Sequence, residues 1–299
     1  MAWRGLHISR PSYLSLEQRR IRVRQDDDAD GETLTFPLED VAWIILDDGR
    51  STLTARLIAA CMEDGTPVVF CDQRHLPCGV ALPFHQHHAQ TQVSRAQIAL
   101  SAPLKKRLWQ TIVRAKITGQ ALNLRYAQHP DHQALKAIGT RVKSGDPDNV
   151  EARAARYYWA RLFDAFSRGD EADFRNGLLN YAYACVRAAI ARALVASGFI
   201  PSIGIHHDGG LNPFNLADDM IEPFRPIADR TVAEHLVVRS GQEDMTLEDR
   251  RAMAAVLTRE IVIKGEQMSL LHAVERSVES LRRAVESKDP GALALPEGW

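Results

Sequence analysis

Cysteine is scarce in this chain. Cys61, Cys71, Cys78 and Cys185 are the only four in 299 residues, too few and too irregularly spaced for a disulfide framework, which points to a reducing compartment. Cys71 and Cys78 stand farther apart than the roughly two to four residues typical of zinc-binding pairs, and no second pair follows. Long uncharged apolar runs are also missing. None reaches the roughly 20 residues that a bilayer requires, and the opening stretch MAWRGLHISRPSYLSLEQRR lacks the apolar centre of a signal peptide. These absences describe a soluble, cytoplasmic protein with no membrane partner. Net charge is nearly absent too, at −1. What is present is ordinary for a folded chain: 45% hydrophobic and 25% charged residues exclude disorder. Area scaling hides roughly three-quarters of the extended chain's surface on folding, enough for one or two domains.

The small net charge conceals a strong asymmetry. Residues 1–85 carry a net −4 and residues 171–299 a net −5, whereas residues 86–170 hold 14 Lys+Arg against 6 Asp+Glu. That basic middle runs from Arg95 through Lys105, Lys106, Arg107, Arg114, Lys116, Lys136, Arg141 and Lys143 to Arg168. A polyanion partner would account for it, and so would a set of solvated helices.

The first eighty or so residues read as short strands and turns. In RIRVRQ, Ile21 and Val23 share one face and the arginines the other, before an acidic turn, DDDADGE. TLTFP, VAWIIL, PVVFCD and GVAL are further strands, and Ser51 is placed to cap a helix running to Asp64 with Gly65 after it. After Pro83 strand signals almost vanish. Helical patterns follow at about 88–101, 104–127, 132–143, 150–167, 172–198, 216–238, 246–264 and 266–287, the last with Met268, Leu271, Val274, Val278 and Leu281 at helical spacing. The tail KDPGALALPEGW reads as peripheral. The predicted fold class is α+β: a small N-terminal β domain with one helix, 1–83, followed by a larger all-α C-terminal domain, 84–299.

Three places concentrate chemistry. In GDPDNVEARAARYYW, Asp148 or Asn149 can cap a helix that carries Glu151 in its first turn, and Arg153, Arg156 and Arg161 follow. Glu151 is then either a favourable first-turn acid or a functional carboxylate. In SIGIHHDGGLNPFNLADDMIEPFRP, His206 and His207 precede a helix capped by Asn215 that carries Asp218, Asp219 and Glu222. Asp219 and Glu222 share a helical face while Asp218 is turned by about a hundred degrees. Their repulsion needs Arg225 or a divalent cation, and Pro223 and Pro226 should break or kink the helix. The third place, PFHQHHAQ, brings together His85, His87 and His88 with no acid or cysteine at ligand spacing, so these read as surface or structural histidines.

On the stretches FCDQRHLP, GDPDNVEARAARYYW, GLLNYAYA and GIHHDGGLNPFNLADDMIEPFRPIADR, the chain resembles the CRISPR-associated endonuclease and integrase of the spacer-acquisition step, most closely its type II branch. The resemblance covers nearly the whole sequence. It implies that Glu151, His207 and Glu222 are catalytic and bind a divalent cation, with Asp219 in support. One position departs from the family pattern, Ala152 standing where glycine often follows the glutamate. Two carboxylates and an imidazole suit Mg2+ or Mn2+. The implied reaction joins the 3′-hydroxyl of a captured DNA fragment to a repeat by transesterification, with Lys105, Arg107, Arg114, Arg153, Arg156 and Arg225 as candidate DNA contacts. The implied partners are double-stranded DNA (captured fragment and CRISPR repeat), a second copy forming a homodimer through the N-terminal domain, the smaller universal adaptation protein bridging two dimers, and the RNA-guided effector nuclease of the same system. The competing readings are a stand-alone metal-dependent DNA endonuclease and a non-catalytic DNA-binding scaffold in which these acids are structural ion pairs.

Overall fold

A computed structural model describes residues 4–25, 33–83, 87–170, 172–239 and 244–299. The acidic turn DDDADGE and His85 lie outside them. The chain divides into two compact units, Met1–Gln86 and His87–Trp299.

The first unit contains β1 (Arg4–Ile8), β2 (Ser12–Glu17), β3 (Arg20–Gln25), β4 (Leu34–Pro37), β5 (Val41–Leu46), β6 (Thr52–Leu53), α1 (Ala55–Asp64), β7 (Val68–Cys71) and β8 (Pro77–Ala81). They form two four-stranded sheets ordered β1-β5-β7-β8 and β4-β3-β2-β6. β5 runs parallel to both β1 and β7, and all six of its residues are buried, as expected for a strand covered on both faces. In β3 only Ile21 and Val23 are buried; they stand opposite Leu16 and Leu14 of β2, so the alternation of RIRVRQ is that of a sheet with one solvated face. One apolar cluster draws Leu14, Ile21, Ile44, Leu57 and Val68 together from both sheets and α1. Thr54, rather than Ser51, caps α1: its hydroxyl accepts from Leu57 N at 3.4 Å, and Gly65 closes the helix at φ 77°. The stretch FCDQRHLP is a turn whose Asp72 accepts from Arg74 N and Leu76 N. Its His75 lies 2.8 Å from the buried carboxylate of Asp47, which is also 3.1 Å from His7.

The second unit contains α2 (Gln90–Ile98), α3 (Ala102–Tyr126), α4 (His132–Thr140), α5 (Val150–Leu162), α6 (Phe174–Ala196), α7 (Asn215–Ile221), α8 (Arg225–Val238), α9 (Leu247–Ala254), β9 (Glu260–Ile263), β10 (Glu266–Ser269) and α10 (Leu270–Ser287). The helix expected over 216–238 is two helices broken at Glu222–Phe224, where Pro223 lacks an amide hydrogen. The pattern over 246–264 resolves differently from expectation. α9 stops at Ala254, and an antiparallel ribbon pairs Ile263 with Glu266 and Ile261 with Met268, because the β-branched run EIVI is followed by Lys264-Gly265 at positive φ. Met268 thus belongs to a strand, and α10 starts after it with Ser269 as its cap.

α6 is long and apolar enough to cross a membrane by length and composition, although Arg187 and Arg192 interrupt its apolar run, and 78% of its apolar window is buried inside the protein. It is the unit's central helix. The tail is not peripheral either. Trp299 packs where a Cβ on Gly119 would come within 2.6 Å of its ring, and its indole donates to Asn123 Oδ1 at 3.2 Å.

Candidate active site

The site is assembled from α3, the start of α5, the loop 201–214 and the α7–α8 break. Glu151 occupies the first turn of α5 because Gly145 (φ 77°), Asp146 (φ 49°) and Asn149 (φ 49°) turn the chain sharply before it. The helix is capped by Asp146, whose carboxylate accepts from Val150 N and Glu151 N, both at 2.9 Å. Neither Asp148 nor Asn149 caps it, since the Asn149 side chain makes no capping bond and Asp148 pairs with Lys143 at 2.7 Å.

Glu222 lies in the helix break with its side chain turned inward, 7% exposed. Its two partners are Lys116 Nζ at 2.5 Å and Arg225 Nε at 3.0 Å. Lys116 also contacts Glu151, so one buried ammonium joins carboxylates from two elements. Burial works against the Lys116 charge, but Glu222 and Glu151 outweigh it and hold the pKa above the ordinary lysine value. Burial likewise opposes the Glu222 carboxylate; Lys116 and Arg225 overcome it and hold its pKa below the usual range. The contacts to Glu222 are ones of charge, since Oε2 has no hydrogen-bond partner of good geometry.

His207 is oriented by Asp219, which is fully buried. The Asp219 carboxylate accepts from Ile205 N (2.5 Å), His206 N (3.1 Å) and His207 N (3.0 Å), and lies 2.8 Å from His207 Nδ1. That hydrogen bond raises the His207 pKa above its ordinary value and leaves Nε2 as the outward nitrogen, the arrangement in which a carboxylate sets the tautomer of a metal-binding imidazole. His207 and Glu222 each feel the other's charge. Gly204 is required here because a Cβ would stand 2.1 Å from His207 O and 2.9 Å from Asp219 Oδ2. His206 is exposed and stacks on Trp109, with ring centres 4.1 Å apart and planes 4° from parallel.

The remaining acids and amides of the motif hold the loop. Asp218 is turned away to Arg187, accepting at 2.5 and 2.9 Å, and Asn215, the first residue of α7 rather than its cap, donates to Ser202 O and Gly209 O. Beneath the site lies a fully buried network in which Asp229 accepts from Tyr158 at 3.1 Å and from Tyr183, and Asn123 donates to Tyr158 at 2.8 Å. Burial pushes the Asp229 carboxyl up from 3.8 to about 7. Between those values the folded chain keeps a proton that the unfolded chain has released, so stability falls as pH rises through that window. Asp229→Asn is expected to flatten that fall by about 2 kcal/mol between pH 5 and pH 8. Denaturant melts at the two pH values check this, and identical slopes in both proteins would exclude it.

Among the candidate DNA contacts, Arg107, Arg153 and Arg156 are exposed. Arg114 is exposed and donates to Val142 O at 2.8 Å. Lys105 Nζ lies 3.4 Å from Gly204 O and so also braces the loop. Arg225 is committed to Glu222 and lies over the Tyr183 ring. Lys116, counted in the basic middle, faces the carboxylates instead of solvent. His87 and His88 stack on each other at 4.7 Å. Among the described residues, no three of His, Cys, Asp and Glu converge on one point as a metal cluster, because Lys116 stands between two of the acids. The donor set still fits a hard divalent ion: two carboxylates, one with a buried oxygen lacking a hydrogen bond, and an imidazole with its outer nitrogen presented. Sequence reasoning missed Lys116, Asp146 and Trp109. The signal for Lys116 was there, since it falls on the buried stripe of Ile112, Val113, Ile117 and Gln120, where a lysine demands an acid.

The fold is shared with proteins of known structure. A casposase bound to integration product matches with a TM-score of 0.74 at 18% identity, over 96% of this chain and 91% of that one. A Cas6-RT-Cas1–Cas2 complex matches with a TM-score of 0.71 at 18% identity, over 99% of this chain and 36% of that one. The family profile described as CRISPR associated protein Cas1 matches residues 6–264. The CRISPR-associated endonuclease Cas1 of Neisseria meningitidis serogroup C (strain 8013) is 40% identical over 302 residues, 99% of this chain and 97% of the relative. The chain belongs to the CRISPR associated protein Cas1 family.

Proposed function

We propose that this protein is a metal-dependent DNA integrase of CRISPR adaptation, joining the 3′-hydroxyl of a captured fragment to a repeat. The observation that carries the reading is the convergence of Glu151 and Glu222 on one buried cation, beside an imidazole that Asp219 holds in a fixed tautomer. Glu151, Glu222 and His207 Nε2 would hold Mg2+ or Mn2+, which when bound polarises a phosphodiester and stabilises the leaving oxygen. Asp219 keeps the His207 proton on Nδ1, so that Nε2 stays a donor of electrons. The exposed arginines of α3 and α5 are suited to steering the phosphate backbone. The 3′-hydroxyl attacks the phosphorus at a repeat border, the fragment becomes joined to the 5′ end of one repeat strand, and the flanking strand leaves with a 3′-hydroxyl. Water at the same position gives hydrolysis, the second reading, which the endonuclease name of the 40%-identical relative favours.

The solved complex that contains both Cas1 and Cas2 supports a smaller adaptation protein as partner. We further propose that the N-terminal unit pairs two copies, that the smaller protein bridges two such dimers, that the effector nuclease of the same system supplies fragments, and that all of this takes place in the cytoplasm. The test is an assay with Mn2+, a repeat-containing plasmid, end-labelled duplex and the purified smaller protein. Label joined covalently to the repeat is expected. Labelled ends that are only shortened would leave the nuclease reading, and DNA binding unaffected by metal with neither product would leave the scaffold.

Arg107→Ala with Arg153→Ala is expected to weaken duplex binding and to lower the slope of log affinity against log salt by about 1 to 2. Lys105→Ala would mix this effect with release of the Gly204 carbonyl, so the arginine pair is the cleaner choice. Binding titrations at several salt concentrations check it, and an unchanged slope would exclude these residues from phosphate contact.

A further inference from the structure

The ammonium of Lys116 occupies the position between Glu151 and Glu222 where the proposed metal reading needs a divalent ion, and this inference rests on that reading. Lys116 is 9% exposed, and its reach across α3 joins an acid of α5 to one in the α7–α8 break. A second cation cannot share that space with it, because like charges a few ångströms apart in a buried site repel strongly. The ammonium is a point charge on a flexible stem of four carbons, able to withdraw without moving its helix. Its hold on Glu222 is that of one point charge on one oxygen, Oε2 at 2.5 Å, so an arriving ion of higher charge competes with a single ammonium for that oxygen.

We propose that Lys116 is a built-in counter-ion that exchanges with the divalent ion. In the metal-free chain it keeps two buried carboxylates from repelling one another and so holds the site assembled. When the ion binds, the ammonium gives way, which lowers the apparent affinity for metal and leaves a positive charge beside the site for an anionic substrate. Lys116 is thus a positioning residue that acts through Glu151 and Glu222. A merely structural lysine would make the opposite prediction, since its loss would scatter the ligands and weaken metal binding.

The experiment measures Mn2+ uptake by the full chain without DNA, from the electron paramagnetic resonance of free Mn2+, together with thermal melts with and without MnCl2. For Lys116→Met, Mn2+ binding is expected to tighten by about ten-fold or more. Its metal-free melting temperature should fall below that of the unaltered protein, and the rise on adding Mn2+ should be larger. Binding equal to or weaker than that of the unaltered protein would overturn the exchange. Should Lys116→Met fail to fold, Lys116→Arg gives the answer: a guanidinium grips both carboxylates more firmly, so Mn2+ binding weakened about ten-fold in a folded protein supports exchange, and unchanged binding overturns it. An unaltered protein that takes up no Mn2+ would overturn the metal reading and this inference with it, whereas Mn2+ uptake that is lost in Glu151→Gln but not tightened in Lys116→Met overturns the exchange alone.

Discussion

Glu222→Gln, Glu151→Gln and His207→Ala are each expected to reduce strand joining to background, yet to differ sharply in what they cost the fold. Glu222 is 7% exposed and holds two cations, the buried Lys116 and the partly exposed Arg225. Removing its charge leaves them facing a neutral amide, at about 3 kcal/mol, the range of a broken buried ion pair. Glu151 is 27% exposed and has the one Lys116 contact, so water compensates part of the loss and the cost should be smaller. His207 is 41% exposed and its side chain gives up a single bond to Asp219, worth about 1.5 kcal/mol, the low end for a bond to a charged group because water reaches the ring. The predicted order of destabilisation is therefore Glu222, then Glu151, then His207, with equal loss of chemistry. Denaturant melts beside single-turnover joining rates in Mn2+ check both halves. A His207→Ala protein that melts as early as Glu222→Gln would refute the burial argument. Full joining in any one of the three would remove that residue from the site.

Asp219→Ala and Gly204→Ala are expected to converge on the same defect from opposite sides. Asp219 satisfies three successive backbone amides and orients the His207 ring. Bonds to a buried carboxylate are worth about 1.5–3 kcal/mol each, so truncating it should destabilise the chain by about 3 to 5 kcal/mol even after the loop relaxes. Asparagine should not rescue, because its amide hydrogens would point at one of these donors. Gly204→Ala changes no charge at all, yet its Cβ would stand 2.1 Å from His207 O, a backbone atom that cannot swing aside. Both proteins are expected to bind Mn2+ about 10- to 100-fold more weakly, as when the group orienting a metal ligand is lost. His206→Ala, which removes an exposed ring stacked on Trp109, should stay within about three-fold of the unaltered protein. Titration of Mn2+ against all three separates the cases. Equal weakening in His206→Ala would mean that the stack, rather than Asp219, sets the loop.

The two histidines are adjacent, and their different fates show how the site depends on contacts from outside its own segment. One ring is drawn inward by a carboxylate twelve residues on, and the other is laid on an indole from α3. Lys116 is the stronger case. It lies 35 residues before Glu151, in a helix whose exposed positions do carry basic residues such as Arg107 and Arg114. Only the packing of α3 against α5 and the α7–α8 break turned it from a phosphate-facing residue into the internal partner of two acids.

Features that depend on neighbours along the chain were legible in the sequence. The alternation of β3, the buried run of β5, the helical succession after Pro83 and the broken helix at Pro223 follow from side-chain period and from the missing proline amide. The acids and histidine of the motif were legible for the same reason, as they lie within two short segments. Which charges meet was not legible there. The assignment of Asp146 as the cap of α5, of Asp218 to Arg187, of Arg225 and Lys116 to Glu222, and of Trp299 to Asn123 depends on partners brought together by packing across the helical unit. The hairpin after α9 belongs with them, since a four-residue β-branched run acquires its identity only when a second strand pairs with it. Charge is a long-range quantity in space and not in sequence, so composition could count the cations of this protein but only the fold could say that Lys116 is internal.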